Sequence, residues 1–533
     1  MPLALEPRRL LAPARNRALL DRIRAQASPP ERRAPIAGIG VPTRDRPALL
    51  RRCLDSYMRN CREYGRDLEF AVFDDAREAS RRAESVATLR ALRQTFRARV
   101  SYSSILDREA YALALSCESG VPIDTVRFAL VGTGSMVSTG GCRNALLLHF
   151  VGRRVIHVDD DTSCHVAFAR GQRGGLALES VHVGTHEVFP TAADARAAVS
   201  FSAHDYVGLF EPLLGQHVAN AVDAVASSDA IDLDRLGGQF ARQLMQSACR
   251  VTTASPGVVG DSGLGSTAMY FFTGGAATRA MLLAFPGGHR RAFESHHMVR
   301  SSAQPSIAGG GICLGINLGL DQSGPLLPPF MPRLRDSDGV FGQARQICAP
   351  TTATAFLPWM IEHTPPAARR SSLEQITATA GRVQLSVFLR AFIKTFDAPS
   401  AEPPARMIAL GRHLVELGSI DRADYLAACR RHCHARVDSY FTYADAIESE
   451  AGPGRPEWHA DFRRYLGVAR QTAQSLEGVV PRDLSLGRSA DEAIDAGRQL
   501  IRAYGDLLCA WPAIVAAAQA LHRRGERPAA PLA

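Results

Sequence analysis

The sequence predicts an α/β protein with a largely parallel sheet, followed by a separate helical domain. Two observations carry that prediction. Between residues 35 and 158, short apolar runs, two of them ending in carboxylates, alternate with stretches whose apolar residues recur at helical spacing. After about residue 366 the helical spacing continues almost unbroken to residue 533. A chain of this length also exceeds one ordinary core, which suggests two or three domains.

The elements follow in order. Residues 1–34 are basic and punctuated by proline, and read as a peripheral extension in which Leu10, Leu11, Leu19, Leu20 and Ile23 supply apolar contacts. "PIAGIGVPT" (35–43) reads as a buried strand running into a loop. In "RPALLRRCLDSYMRNC", Leu49, Leu50, Cys53, Leu54 and Tyr57 fall on one helical face. "LEFAVFDDA" (68–76) is a second strand ending in carboxylates, and "AESVATLRALRQTF" a helix. "TVRFALVG" (125–132) reads as a strand, "GGCRNALLLHFVG" (140–152) as a short apolar helix, and "RRVIHVDDD" as a strand. Alternation of this kind favours a parallel sheet covered by helices. Residues 165–255 read as a long insertion with helices. "GSTAMYFFTG" (265–274) returns to strand character, and a loop rich in His and Arg follows at 287–302. "SSLEQITATAGRVQLSVFLRAFIKTF" opens with a capping-box pattern, Ser371 to Glu374, and begins the helical domain, 367–533.

Composition narrows the function. Apolar residues make up 46% and charged residues 22%, the balance of a globular protein. The formal net charge is +9 and the pI near 9.2, which suits a polyanionic substrate, but the arginines are scattered and no nucleic-acid module is present. No run of about 18 uncharged apolar residues reads as a membrane span, and the N-terminus lacks a secretory leader. The eleven irregularly spaced cysteines fit reduced thiols. The expected setting is the cytoplasm; the basic N-terminus reads as a surface helix broken near Pro13, with peripheral contact at the inner face of a membrane as the alternative.

"RRVIHVDDDTS" (153–163) is the most informative stretch. On an extended strand, alternate side chains share a face, so Asp159 and Asp161 point one way and Asp160 the other. Two carboxylates on one side of a strand end form a hard-oxygen site for Mg²⁺ or Mn²⁺, and a cation there offsets their repulsion and can bridge to a diphosphate. Ligands of open α/β sheets bind at such carboxyl ends.

"GIGVPTRDRPALLRRCLDSY", then "FAVFDDA", then "GGCRNALLLHFVGRRVIHVDDD" resembles the nucleotide-binding half of the GT-A-fold glycosyltransferases, nearest the large inverting family 2. The resemblance covers residues 35–366 and implies a Rossmann-like, mostly parallel mixed sheet. It implies that Pro42, Thr43 and Arg46 line the nucleotide pocket and that Asp74 or Asp75 accepts a hydrogen bond from the base. Arg143 and Asn144 would lie near the nucleotide sugar, with Asp159 and Asp160 on the donor and Asp159 and Asp161 on the metal. Further on, "AGGGICLGINL" and "PRLRDSDGVFG" fit the place of the segment that supplies the general base, with Asp336 as first choice and Asp338 as second. His363 in "FLPWMIEHTP" stands where related enzymes place a third metal ligand. Arg335-Asp336 replaces the family's Glu-Asp, and Arg44-Asp45 its aromatic-Asn pair.

The implied activity is metal-dependent, hexosyltransferase-like transfer from a nucleotide-diphospho-sugar, with UDP as the expected nucleotide, to the hydroxyl of a glycan, lipid or protein acceptor. Region 165–255 would serve the acceptor, and Arg290, Arg291, His296 and His297 would close over the diphosphate. Two other classes compete: a nucleotidyltransferase on a related fold, whose glycine-rich loop "VPTRDRP" lacks, and a non-catalytic nucleotide-sugar-binding protein. "VGTGSMVSTGG" (131–141) lacks the third glycine of a dinucleotide loop. "GDSGLG" (260–265) resembles a trypsin-like nucleophile segment without the all-β context, and "CRRHCH" (429–434) puts Cys429 and Cys433 on one helical face as buried thiols rather than as a zinc site.

Overall fold

The computed structural model describes residues 13–29, 33–131, 139–246, 248–264, 276–283, 287–366, 369, 371–397, 402–451 and 458–533. Leu10, Leu11, the expected strand at 265–274 with Thr267, most of the glycine-rich stretch at 131–141 and the break at 452–457 lie outside them.

The fold is α/β. Its strands are β1 (Ile36–Thr43), β2 (Glu69–Asp74), β3 (Arg99–Ser103), β4 (Arg154–Val158), β5 (Thr162–Phe168), β6 (Leu176–Glu179), β7 (Thr185–Phe189), β8 (Ser200–Phe201), β9 (Ile231–Asp232), β10 (Arg250–Asp261), β11 (His297–Ser301), β12 (Ser306–Ala308), β13 (Asn317–Asp321), β14 (Thr352–His363) and β15 (Ala530–Pro531). They join in one large mixed sheet, ordered β15-β3-β2-β1-β4-β13-β10-β14-β12-β6-β9, with β5, β7, β8 and β11 attached beside that path. The strands β3, β2, β1 and β4 run parallel. Because β2 and β4 flank β1 on opposite sides, the order reverses there, and the crevice above the carboxyl ends of β1 and β4 is where such sheets bind ligands. Beyond β4 the sheet turns mixed: β13 is antiparallel to β4 and to β10, and β10 is parallel to β14.

The helices cover this sheet for reasons visible in their sequences. Pro47–Glu63 buries Leu50, Cys53, Leu54 and Tyr57 as its spacing predicts. Thr139–His149 is buried along its whole length and lies so close to residues 331–332 that a Cβ at Gly140 would collide with the Met331 carbonyl.

Four expectations need correction. Residues 123–130 form a helix, Ile123–Leu130, that buries Val126, Phe128, Ala129 and Leu130. A short apolar run is equally compatible with either element until its neighbours are known. Residues 165–255, read as an insertion with helices, do carry the helices Ala192–Ala197, Val218–Asp223 and Gly238–Gln246, but β6 to β9 and parts of β5 and β10 also run through them into the main sheet. The stretch at 287–302 is the helix Gly288–Glu294 followed by β11, not a loop. The capping box forms one residue later than expected, between Ser372 and Gln375, and the helix splits into Leu373–Ala378 and Leu385–Thr395 around Gly381, whose φ of +85° favours glycine.

The C-terminal helices Pro403–Ser419, Arg422–Ala451, Trp458–Gln474 and Ala490–Arg523 share apolar core with the sheet-covering helices: Leu146, Phe330 and Phe341 belong to one cluster with Leu389, Leu410, Tyr504 and Trp511. Trp511 donates its indole N–H to the Leu327 carbonyl at 2.9 Å, and Tyr504 its hydroxyl to that of Pro329 at 2.9 Å. Ala490–Arg523 is long and apolar enough, by length and composition, to cross a membrane; half of its most apolar window is buried against protein. After it the chain returns to pair β15 with β3 at the sheet edge.

Candidate functional site

The carboxyl ends of β1, β2 and β4 bring Thr43, Asp74, Asp75 and the acidic triplet to one edge. The triplet itself forms a tight turn just past β4, closed by the Thr162 amide donating to the Asp159 carbonyl at 3.1 Å. Strand alternation therefore does not set its three directions; partners from distant segments do.

Arg143 donates from one Nη2 to Asp159 Oδ1 at 2.7 Å and to the Gly315 carbonyl at 2.7 Å. Thr43 donates its hydroxyl to Asp160 Oδ2 at 2.6 Å, and the Arg46 guanidinium stands 3.3 Å from both Asp160 and Asp161. His363 Nε2 lies 3.2 Å from Asp161 Oδ1. Arg52 ties the turn from outside, donating to the carbonyls of Asp161 at 3.2 Å and Thr364 at 2.6 Å. The repulsion within the triplet is thus met by two guanidinium groups, a hydroxyl and an imidazole.

Burial pushes the carboxyl groups of Asp159 and Asp160 up, to about 6 and about 7, because solvent no longer supports their charges and each feels Asp161 nearby. Burial pushes Asp161 up as well, yet the His363 hydrogen bond and the positive charges of His363 and Arg46 together outweigh it and hold the carboxyl below its ordinary range.

His363 tests whether a cation fits. Its Nδ1 lies 2.6 Å from the backbone carbonyl of Asp261, a group that only accepts, so Nδ1 carries the proton. Nε2 then presents either a lone pair or a second proton to the Asp161 carboxylate. A lone pair facing a carboxylate is repulsive unless a cation is shared between them, and an Nδ1–H on a backbone carbonyl is the usual setting of a ligating histidine. Asp161 and His363 are the two side chains that could hold a divalent cation here. Asp159 is committed to Arg143, and among the described residues no group of three or more His, Cys, Asp or Glu side chains is gathered as a metal site.

The other expected site residues divide. Asp338 accepts from the Gly315 amide at 2.7 Å, and the Gly315 carbonyl accepts from Arg143, so Asp338 is linked to Asp159 through one peptide segment. A Cβ at Gly315 would strike the Arg143 guanidinium, so a side chain there would break the link. Asp336 sits one step before the helix Ser337–Cys348 with a left-handed φ of +66°, and accepts from Arg390 of Leu385–Thr395 at 3.0 Å. Of the two, Asp338 is the one joined to the triplet.

Asn144, expected beside the nucleotide sugar, is fully buried and uses both ends of its amide on the backbone of Ala129 and Phe330. It fixes the segment before Asp336 instead. Asp74 accepts from the Ala76 amide and the Tyr102 hydroxyl, and Asp75 pairs with the fully buried Arg108, so both are engaged inside the protein. Pro42 is the penultimate residue of β1 and pairs with Phe73. Arg290 does not close over the triplet: together with His289 it pairs with Asp461 of the helix Trp458–Gln474. His296 contacts the Leu264 carbonyl and Ser371. Ser262 of "GDSGLG" is buried; its hydroxyl accepts from the Leu264 amide and its own amide donates to the His296 carbonyl. Cys429 and Cys433 are buried thiols, pushed up to about 12 and about 11.

Three participants were not singled out from the sequence. Asp261 ends β10, which is parallel to β14, so its carbonyl lies beside His363. Arg369 pairs with the Asp261 carboxylate and lies within the field of Asp161. Arg52 braces the acidic turn. The signal for Asp261 was available: "PGVVGD" is another apolar run ending in a carboxylate.

No protein-family model matches the chain, and a search of curated proteins returns no match.

Proposed function

We propose that this chain is a metal-dependent glycosyltransferase of the GT-A type, moving a sugar from a nucleotide-diphosphate donor to an acceptor hydroxyl with inversion. The observation that carries the reading is the meeting of Asp161 with His363 at the switch-point edge of the sheet, with the His363 Nδ1 engaged by the Asp261 carbonyl so that Nε2 is the atom turned toward Asp161. Asp161 and His363 would hold Mn²⁺ or Mg²⁺, which supplies charge neutralisation for a leaving diphosphate.

The chain's own residues do the rest. Arg46, on the solvent side of the turn, is placed to meet the donor phosphates beside that ion. Arg143 holds Asp159 in place and, through Gly315, Asp338. Asp338 takes the proton from the acceptor hydroxyl as its oxygen attacks the anomeric carbon. Asp336, bound to Arg390, sets the start of the helix that carries Asp338.

Calorimetric titration with a panel of nucleoside diphosphates, with and without Mn²⁺, tests this. One nucleotide should bind only with the metal, and Asp161→Ala should abolish that binding. Binding that is absent, or that survives the substitution unchanged, overturns the reading.

A further inference from the structure

A cavity of about 410 Å³, lined by none of the residues of the acidic turn, opens between the helices Ile123–Leu130 and Ala490–Arg523. Its floor is apolar, with Phe128 and Leu500 both buried. Two cations, Arg333 and Arg488, and two carboxylates, Asp124 and Asp506, line it. Among the described residues none of these four forms an ion pair with another.

Arg333 is the unusual member. Its guanidinium packs over the Phe128 ring at 5.1 Å and is half-buried; its Nε is cut off from solvent without a hydrogen-bond partner. Burial holds it below the ordinary arginine range, and burial also raises the carboxyl of Asp506. A guanidinium has five N–H donors in a fork that matches a carboxylate, and leaving the Nε–H without a partner where solvent does not reach it is costly. A second guanidinium, that of Arg488, lines the same cavity. The two carboxylates make the cavity unfavourable for a multiply charged anion and favourable for an ammonium group.

We infer that this cavity is a binding site for a small apolar amino acid, its carboxylate on Arg333, its ammonium toward Asp124 and Asp506, and its side chain on Phe128 and Leu500. The size is within the range of small-molecule sites. The site is separate from the acidic turn. Arg333 stands three residues before Asp336, so its occupant would contact the segment that leads into the helix bearing Asp338.

The test is calorimetric titration of the full chain with leucine, methionine and phenylalanine, beside pentanoate, pentylamine and inorganic phosphate. At least one amino acid should bind saturably, and pentanoate and pentylamine, each lacking one charge, about tenfold or more weakly. Arg333→Gln should weaken the amino acid about tenfold or more, and Ala503→Phe, which fills the cavity from the helix side, should abolish binding, with thermal melting confirming that both variants fold. No amino-acid binding overturns the inference. So does equal binding by both folded variants, or pentanoate or phosphate binding as tightly as the amino acid.

Discussion

"VFDDA" and "VIHVDDDT" look alike: each is an apolar strand that runs into adjacent aspartates at the same edge of the same sheet. Their fates differ. At the end of β2, Asp74 and Asp75 turn inward to Tyr102, a backbone amide and the buried Arg108. At the end of β4, the acidic turn meets five residues from three other segments: Thr43, Arg46 and Arg52 at the end of β1 and in the helix after it, Arg143, and His363. Acidity at a strand end does not distinguish structure from chemistry. What distinguishes them is whether the partners are a closed internal set, or a set that includes a half-exposed arginine, Arg46, and an imidazole against the Asp161 carboxylate.

Substitutions can break that contrast. The largest effect is expected at Asp338: if it is the base, Asp338→Asn lowers kcat by about 10²–10⁴-fold with KM for the donor little changed, whereas Asp336→Asn changes kcat less than about tenfold. Equal losses in steady-state assays would return the base to Asp336. At β2, Asp75→Ala leaves Arg108 buried and unpaired, and chemical denaturation should show a loss of about 3–5 kcal/mol. The double variant Asp75→Leu with Arg108→Met should recover most of it, because removing both charges removes the desolvation cost. If Asp75→Ala is instead stable and loses only nucleotide affinity, the two regions are alike after all. His363→Ala should weaken Mn²⁺ binding about 10–100-fold by calorimetry without lowering the melting temperature by more than a few degrees.

The smallest expected effect sharpens the structural side. At the start of β2, Glu69 is buried, but its pairing with His149 at 2.8 Å and a Ser101 hydrogen bond outweigh that and hold its carboxyl down at about 2. A carboxyl lower in the folded than in the unfolded chain adds stability above the unfolded value and loses it as the pH falls. That contribution should therefore disappear between about pH 4.5 and pH 2, by roughly 2 kcal/mol after allowance for solvent screening. Glu69→Gln should flatten this part of the pH–stability curve measured by urea denaturation.

Much of this was legible in the sequence. The strands at 36–43, 69–74 and 154–158, the helices that bury Leu50 and Leu146, and the position of the acidic triplet at a strand end all follow from local periodicity. The helix at 123–130 did not, since its apolar run is too short for its period to show. Asn144 shows the same limit in the site: its side chain is as suitable for a sugar as for a backbone, and only the approach of residues 329–331 assigns it to the backbone.

Where carboxylates gather is set locally, because strand and helix periods come from sterics between near neighbours. What each carboxylate meets is set by contacts between distant segments. Asp161 and His363 are 202 residues apart, and their contact depends on β10 running parallel to β14 so that the Asp261 carbonyl can hold the imidazole. Asp75 and Arg108 are 33 residues apart, and their pairing depends on the helix Ile105–Ser119 packing beside β3. No local propensity encodes either distance; they arise from strand order and register, which the whole chain settles at once.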